Sequence, residues 1–291
     1  MLKLVKYIGK ASVKKIFNSR MLVMALIMLM LSWEYDQPLL EFIKQKEHPI
    51  TWCIFPFFLS NHQFLAIFFS CIIYINSDVP FMQHENMYQV IRTGRRQWAA
   101  GQIGGICARS FFAAVMAAVI AVLPFLGRLE WTNEWGKVVY TIATKDVSEA
   151  FLSENYLQFM FYYEILGEFT PLQLMGLTIT LCVLIGILIG FLMFLISLFA
   201  ERIFAVSGAF VFVILLYFVQ NASPRFKQQV AYFVPTYWAA VSLIATPSSG
   251  YYRLPPVSYM FTFLFAATAV VLALILWRVG RIEFNWEHED T

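Results

Sequence analysis

Long apolar runs separated by short polar segments set the rhythm of this chain. The runs cover about 17–33, 52–75, 103–126, 172–199, 203–219 and 259–277. Each is close to the roughly 20 residues that cross a hydrocarbon core at about 1.5 Å per residue. They predict six transmembrane helices. A seventh stretch, 232–245, is too short to cross and is fenced by Pro235 and Pro247. It reads as a re-entrant or interfacial helix protected by neighbouring spans. Upstream of the first run, Lys3, Lys6, Lys10 and Lys14 recur at steps of three and four, with Leu4, Val5, Ile8, Ala11 and Ile16 opposite. Residues 1–18 therefore read as a basic amphipathic helix lying in the headgroup layer.

Composition agrees with the pattern. The 291 residues are 60% hydrophobic and 13% charged, against roughly 25% charged in soluble domains. That leaves too little polar surface to coat a water-soluble globule, so the fold class is an all-α polytopic membrane protein forming one transmembrane domain, 1–291. Lys and Arg set its orientation. With the N-terminus inside, twelve fall on inner segments and eight on outer ones. The outer segments, including the long loop 127–171, are acid-rich. Both termini are thus assigned to the cytoplasm. Arg20 and Arg109 read as snorkelling residues, with Glu201 or Asp78 as alternative partners for Arg109. The four cysteines, Cys53, Cys71, Cys107 and Cys182, all sit in apolar runs without a CxxC pair and read as small core hydrophobes. Gly186 and Gly190 read as points of close helix packing.

Candidate chemistry is sparse. The chain has no phosphate-binding G-x-x-x-x-G-K-[ST] loop and no H-E-x-x-H, and of its histidines only His62 falls in a span. Catalysis by this chain alone has no support, no metal or cofactor site is visible, and nothing points to nucleic acid. Two polar features stand out instead. The segment 78–98, DVPFMQHENMYQVIRTGRRQW, mixes apolar anchors (Phe81, Tyr88, Trp98) with the cations Arg92, Arg95 and Arg96. It reads as a docking surface for a soluble partner or, alternatively, as a loop whose charge only fixes topology. Asn61, His62 and Gln63 fall within the second run, where polar groups must face protein or a watery path. They read as substrate-path residues or as interhelical hydrogen-bonding groups.

Taken together, the amphipathic start, six spans, the segment DVPF…YQVIRTGRRQW after the second span, the tight turn at Glu201-Arg202 and the FVPTYW segment before the last resemble the membrane subunit of ABC-2 type transporters, the type V exporter fold. The resemblance covers almost the whole chain. The outer loop after span 3 is longer than in the simplest members. The resemblance implies a dimer of permease subunits, identical or similar, embedded in membrane lipids of a bacterial plasma membrane. Each would dock an ABC ATPase subunit, two per complex, and those partners would bind ATP and magnesium. It puts spans 2 and 5 at the dimer seam, which adds Gln220 and Asn221 to the substrate path. The expected cargo is a peptide, lipid-like or hydrophobic compound. The rivals are an ATP-independent transporter, against which the absence of Asp and Glu in the cores of spans 2 to 6 counts, and a non-transporting scaffold or sensor.

Overall fold

The computed structural model describes residues 18–77, 90–144, 157–245 and 254–281. The expected interfacial helix over 1–18 and the docking residues Phe81 and Tyr88 lie outside the described residues, apart from Asn18.

The first helix, α1, spans Ser19–Lys46, well past the expected end at 33. The reason is visible in its buried face. Met28, Ser32, Tyr35, Asp36, Leu39, Leu40 and Ile43 continue one stripe at helical spacing, through Glu34, Gln37 and Pro38 on the other sides. The helix ends at Glu47, which turns left-handed (φ 57°) and donates its N–H to Ile43 O, with Lys44 and Lys46 complementing the final carbonyls.

A two-residue strand β1, Ile50–Thr51, follows. The second apolar run is then broken rather than continuous: α2 is Phe55–Phe58 and α3 is His62–Asn76. At 15 residues α3 is about 22 Å long, short of a full crossing. Asn61 causes the break. Its side-chain oxygen accepts from the N–H groups of Gln63 (2.8 Å) and Phe64 (3.2 Å), which starts a new helix instead of continuing the old one.

Helix α4, Arg95–Ile120, leads into a 3-10 turn, Leu123–Arg128, and strand β2, Leu129–Glu130. The two strands pair in parallel, Ile50 with Leu129 and Thr51 with Glu130. In the long loop, α5 is Gly136–Ala143 and α6 is Tyr163–Glu168. Helix α7, Pro171–Ser197, begins with a capping box in which Thr170 and Gln173 satisfy each other's backbone. Next come α8, Arg202–Asn221, and α9, Pro224–Val230. The stretch expected as one helix over 232–245 is instead two 3-10 turns, Ala231–Phe233 and Pro235–Ala239, then α10, Val241–Ile244. Helix α11, Val257–Val279, completes the described chain.

The protein is mostly helical, and α4, α7, α8 and α11 are long and apolar enough to cross a membrane. Helix α7 is central, packing against α4, α8, α11 and α3. Its glycines explain the closeness. A Cβ on Gly186 would stand 3.1 Å from Ser110 Oγ, and one on Gly190 would collide with the Ile106 side chain of α4. The bundle has a basic end, holding Arg20, the start of α4 and Arg278, and a loop end, holding residues 47–61, 121–144, 157–170, 222–245 and 254–256. Arg20 is not loose at the basic end. It donates to Ser77 Oγ at 2.7 Å and lies 5.6 Å from the Tyr74 ring centroid. Arg109 differs from its expected snorkelling position. Because α4 begins at Arg95, it lies about 21 Å along the helix, and it is 2% exposed, inside the bundle.

Aromatic packing organises the loop end. Phe58 meets Phe64, Tyr35 and Phe159, and Phe57 meets Phe161 and Trp135, with centroids 4.6–6.0 Å apart. Such edge-on pairs add about 0.5–1.5 kcal/mol each beyond their buried area.

Candidate functional site

At the basic end, residues 90–93 are helical and turn directly into α4 through Gly94. Gly94 has φ +83°, a conformation that a side chain would strain. Its N–H donates to Val90 O at 2.8 Å while its carbonyl accepts from Trp98 N–H at 3.0 Å. The corner is therefore tied on both sides, and displacement of 90–93 is passed to α4. Arg92, Arg95 and Arg96 are exposed on this corner. Trp98 is not. It is buried, with its ring edge-on to Phe194 of α7 at 6.0 Å. The expected docking anchor Trp98 is part of the bundle's own core, because the start of α4 already packs on α7.

At the loop end, Asn61 sits at the head of α3 rather than deep inside a span. Besides capping, its Nδ2 donates to Gln158 O at 2.7 Å, tying α3 to the long loop. His62 is half-buried, its ring edge-on to Tyr217 of α8 at 6.0 Å. Gln63 is exposed. Gln220 and Asn221 are exposed at the end of α8, and Asn221 Nδ2 donates back to Tyr217 O at 2.9 Å. The tertiary fold thus brings the polar groups named from two distant runs to neighbouring ends of α3 and α8, which pack together through His62 and Tyr217.

The segment 231–245, which packs on α8 and α3, is mostly buried. Three of its polar groups are tied, Trp238 Nε1 to Ala231 O (2.7 Å), Thr236 Oγ1 to Phe212 O (2.8 Å) and Ser242 Oγ to Pro56 O (2.9 Å), whereas the Tyr237 hydroxyl is buried with no partner among the described residues. Lys227 Nζ lies 5.6 Å from the Tyr237 ring centroid, and burial lowers its pKa. Burial raises the Tyr162 phenol, and a hydrogen bond with Ser60 partly offsets it.

One group was missed by reading the sequence. Asp36, placed there in an acid-rich outer loop, is completely buried, and neither carboxyl oxygen has a hydrogen-bond partner among the described residues. Ser32, one turn earlier on the same face, is buried and unpartnered too. Asp36 lies beyond Trp33, the last exposed large apolar side chain on α1 and the end of the span read from sequence. Burial pushes its pKa up to about 9, so its carboxyl is neutral at pH 7. The continued spacing Ser32, Asp36, Leu39, Leu40, Ile43 was the signal that would have found it.

Among the described residues, no group of three or more His, Cys, Asp or Glu side chains is arranged to hold a metal ion. Comparison with known proteins returns no match: no family model, no curated protein and no solved structure is similar to this chain.

Proposed function

We propose that this chain is the membrane-spanning permease subunit of an ATP-driven transporter of the ABC-2 type, exporting a peptide, lipid-like or hydrophobic compound. The basic end faces the cytoplasm, α1 and the broken α2–α3 run complete a set of six spans, and the complex pairs two permeases with two ATPase subunits that bind ATP and magnesium. The observation that carries this reading is the exposed arginine corner at 92–96, tied through Gly94 to the 26 residues of α4. Such a corner suits force transfer: a partner that moves it moves a long helix packed against the centre of the bundle. The polar residues at the adjoining ends of α3 and α8 suit the far end of a transport path.

The test is charge reversal at the corner, with Arg92, Arg95 and Arg96 each replaced by Glu. The altered chain is expected to insert normally and to lose a co-purifying ATPase and its ATP hydrolysis. Retention of the ATPase at the unaltered level overturns the reading. Asp36 favours a second reading, an ATP-independent carrier, because a buried carboxyl without a partner is the kind of group that takes up and releases a proton. A carrier of that kind needs no bound ATPase, so the same co-purification separates the two.

A further inference from the structure

Two concavities of opposite character meet at the loop end. One is a polar cavity of about 890 Å³ at the start of α7, within the roughly 300–1,000 Å³ of small-molecule sites. The other is a groove of about 250 Å³ between α4 and α7, in which every lining residue is apolar.

They abut along the β1–β2 pair. Glu130 lines the cavity and the next residue, Trp131, lines the groove; Pro49 lines the cavity and Trp52 the groove. Neighbouring residues of an extended chain point to opposite faces, with Cα atoms about 3.8 Å apart. Along α7, Gln173 lines the cavity, while Met175 and Ile179 line the groove. Six residues of helix are about 9 Å, so the groove runs from the cavity toward the middle of the bundle. On α4 it extends from Val115 to Val119, about 6 Å, and continues over Val122, Leu123 and Leu126 of the turn that follows.

The charge on the cavity has a clear sign. Among the described residues, Glu130, Glu134 and Glu168 line it against one cation, Lys137, with His48 beside them. The Glu130 carboxylate lies over the bare Cα of Gly136, where a Cβ would stand 3.2 Å from Oε2, and Gly136 holds φ +69°. Tyr140, exposed at the rim, adds an aromatic ring suited to an organic cation. The walls are fixed by main-chain ties: Trp135 Nε1 donates to Phe169 O (2.8 Å), Leu172 N–H to Asn133 Oδ1 (3.1 Å), and Trp52 Nε1 to Thr132 O (3.1 Å).

We propose that this face binds a single-chain cationic amphiphile, its charged head in the cavity and its apolar chain in the groove. The vertical order suits a molecule entering from the adjacent lipid leaflet. The charged head stays at the level of the loops, and the chain lies along helices already apolar enough to face lipid. An anionic amphiphile has the same chain but meets repulsion at three carboxylates. The site does not depend on the transport reading above, since binding needs neither ATP nor a partner.

The test uses the full chain in vesicles of neutral phosphatidylcholine and two probes of equal chain length brominated at the tail, dodecyltrimethylammonium and dodecyl sulfate. Bromine quenches tryptophan on contact, and Trp52 and Trp131 line the groove. Saturable quenching is expected from the cationic probe at a concentration lower by about tenfold than from the anionic one. Replacing Glu130, Glu134 and Glu168 together by Gln is expected to erase that preference. Val119→Phe, at a groove residue that is 55% exposed and tolerant of bulk, is expected to weaken both probes alike. Equal quenching by the two probes overturns the proposal, as does a preference that survives the three Gln substitutions. Saturable quenching that persists after Trp52→Phe and Trp131→Phe overturns it as well.

Discussion

Replacing Asp36 by Asn isolates the energetic consequence of burying a carboxyl without a partner. In the sealed bundle the group is held to about 9, against an ordinary value of 3.8. At pH 7 it keeps its proton when buried and loses it when exposed. The buried state is therefore disfavoured by about three pK units at about 1.4 kcal/mol each, on the order of 4 kcal/mol. The sign follows from a raised value: the contribution of Asp36 to stability is full below its ordinary value and is lost as pH rises toward 9. Asn has nearly the same shape and no charge, so it removes the pH-dependent part. Its buried amide costs about 1–3 kcal/mol at every pH, but the protonated carboxyl it replaces is equally without a partner, so these costs largely cancel and a net stabilisation of roughly 3–4 kcal/mol is left at pH 7. The cleaner readout is the pH dependence. Between pH 5 and pH 7 the advantage of Asn over Asp should grow by about 3 kcal/mol. Thermal unfolding of both chains in detergent, followed by tryptophan fluorescence at pH 5, 6, 7 and 8, measures it. Parallel midpoint curves for the two chains would refute the reasoning, because they would mean that Asp36 is ionised and satisfied in the folded protein.

Two further outcomes follow from the packing and capping already described. Gly190→Val is expected to destabilise by about 1–3 kcal/mol, since its Cβ meets Ile106, whereas Gly176→Ala, with nothing within 4 Å, should be neutral or stabilising by up to about 1 kcal/mol; the paired midpoints check both. Asn61→Ala removes the cap of α3 and its tie to Gln158, and is expected to cost about 1–2 kcal/mol and to raise hydrogen exchange selectively at Gln63 and Phe64, whereas a uniform rise across α3 would contradict the capping role.

Much of the architecture was legible because apolar runs have only one way to satisfy their backbone away from water. The runs that became α4, α7, α8 and α11 needed no tertiary information. The first two runs were read less well. Glu34, Asp36, Gln37 and Pro38 look like a loop because local composition weighs all four equally. In the fold, Glu34 and Gln37 face outward while Asp36 shares the inward stripe with Leu39 and Leu40. In the second run, Asn61, His62 and Gln63 looked like polar residues inside a continuous helix. Asn61's side chain bonds its own backbone instead, which hydropathy does not register.

The candidate sites divide the same way. That Arg92, Arg95 and Arg96 are exposed was expected from charge alone, whereas Trp98 shares their segment and faces inward because α7 brings Phe194 to meet it. Nothing local predicts that His62 meets Tyr217 of α8, or that Glu130 and Glu168 share one cavity. Side-chain chemistry and backbone hydrogen bonding are local, so the pattern along the chain is enough to show which stretches are apolar and that they form helices. Which side chain of each helix faces inward is set by neighbours as much as a hundred residues away, and so emerges in the fold. The same choice made Asp36 a buried acid and Trp98 part of the core.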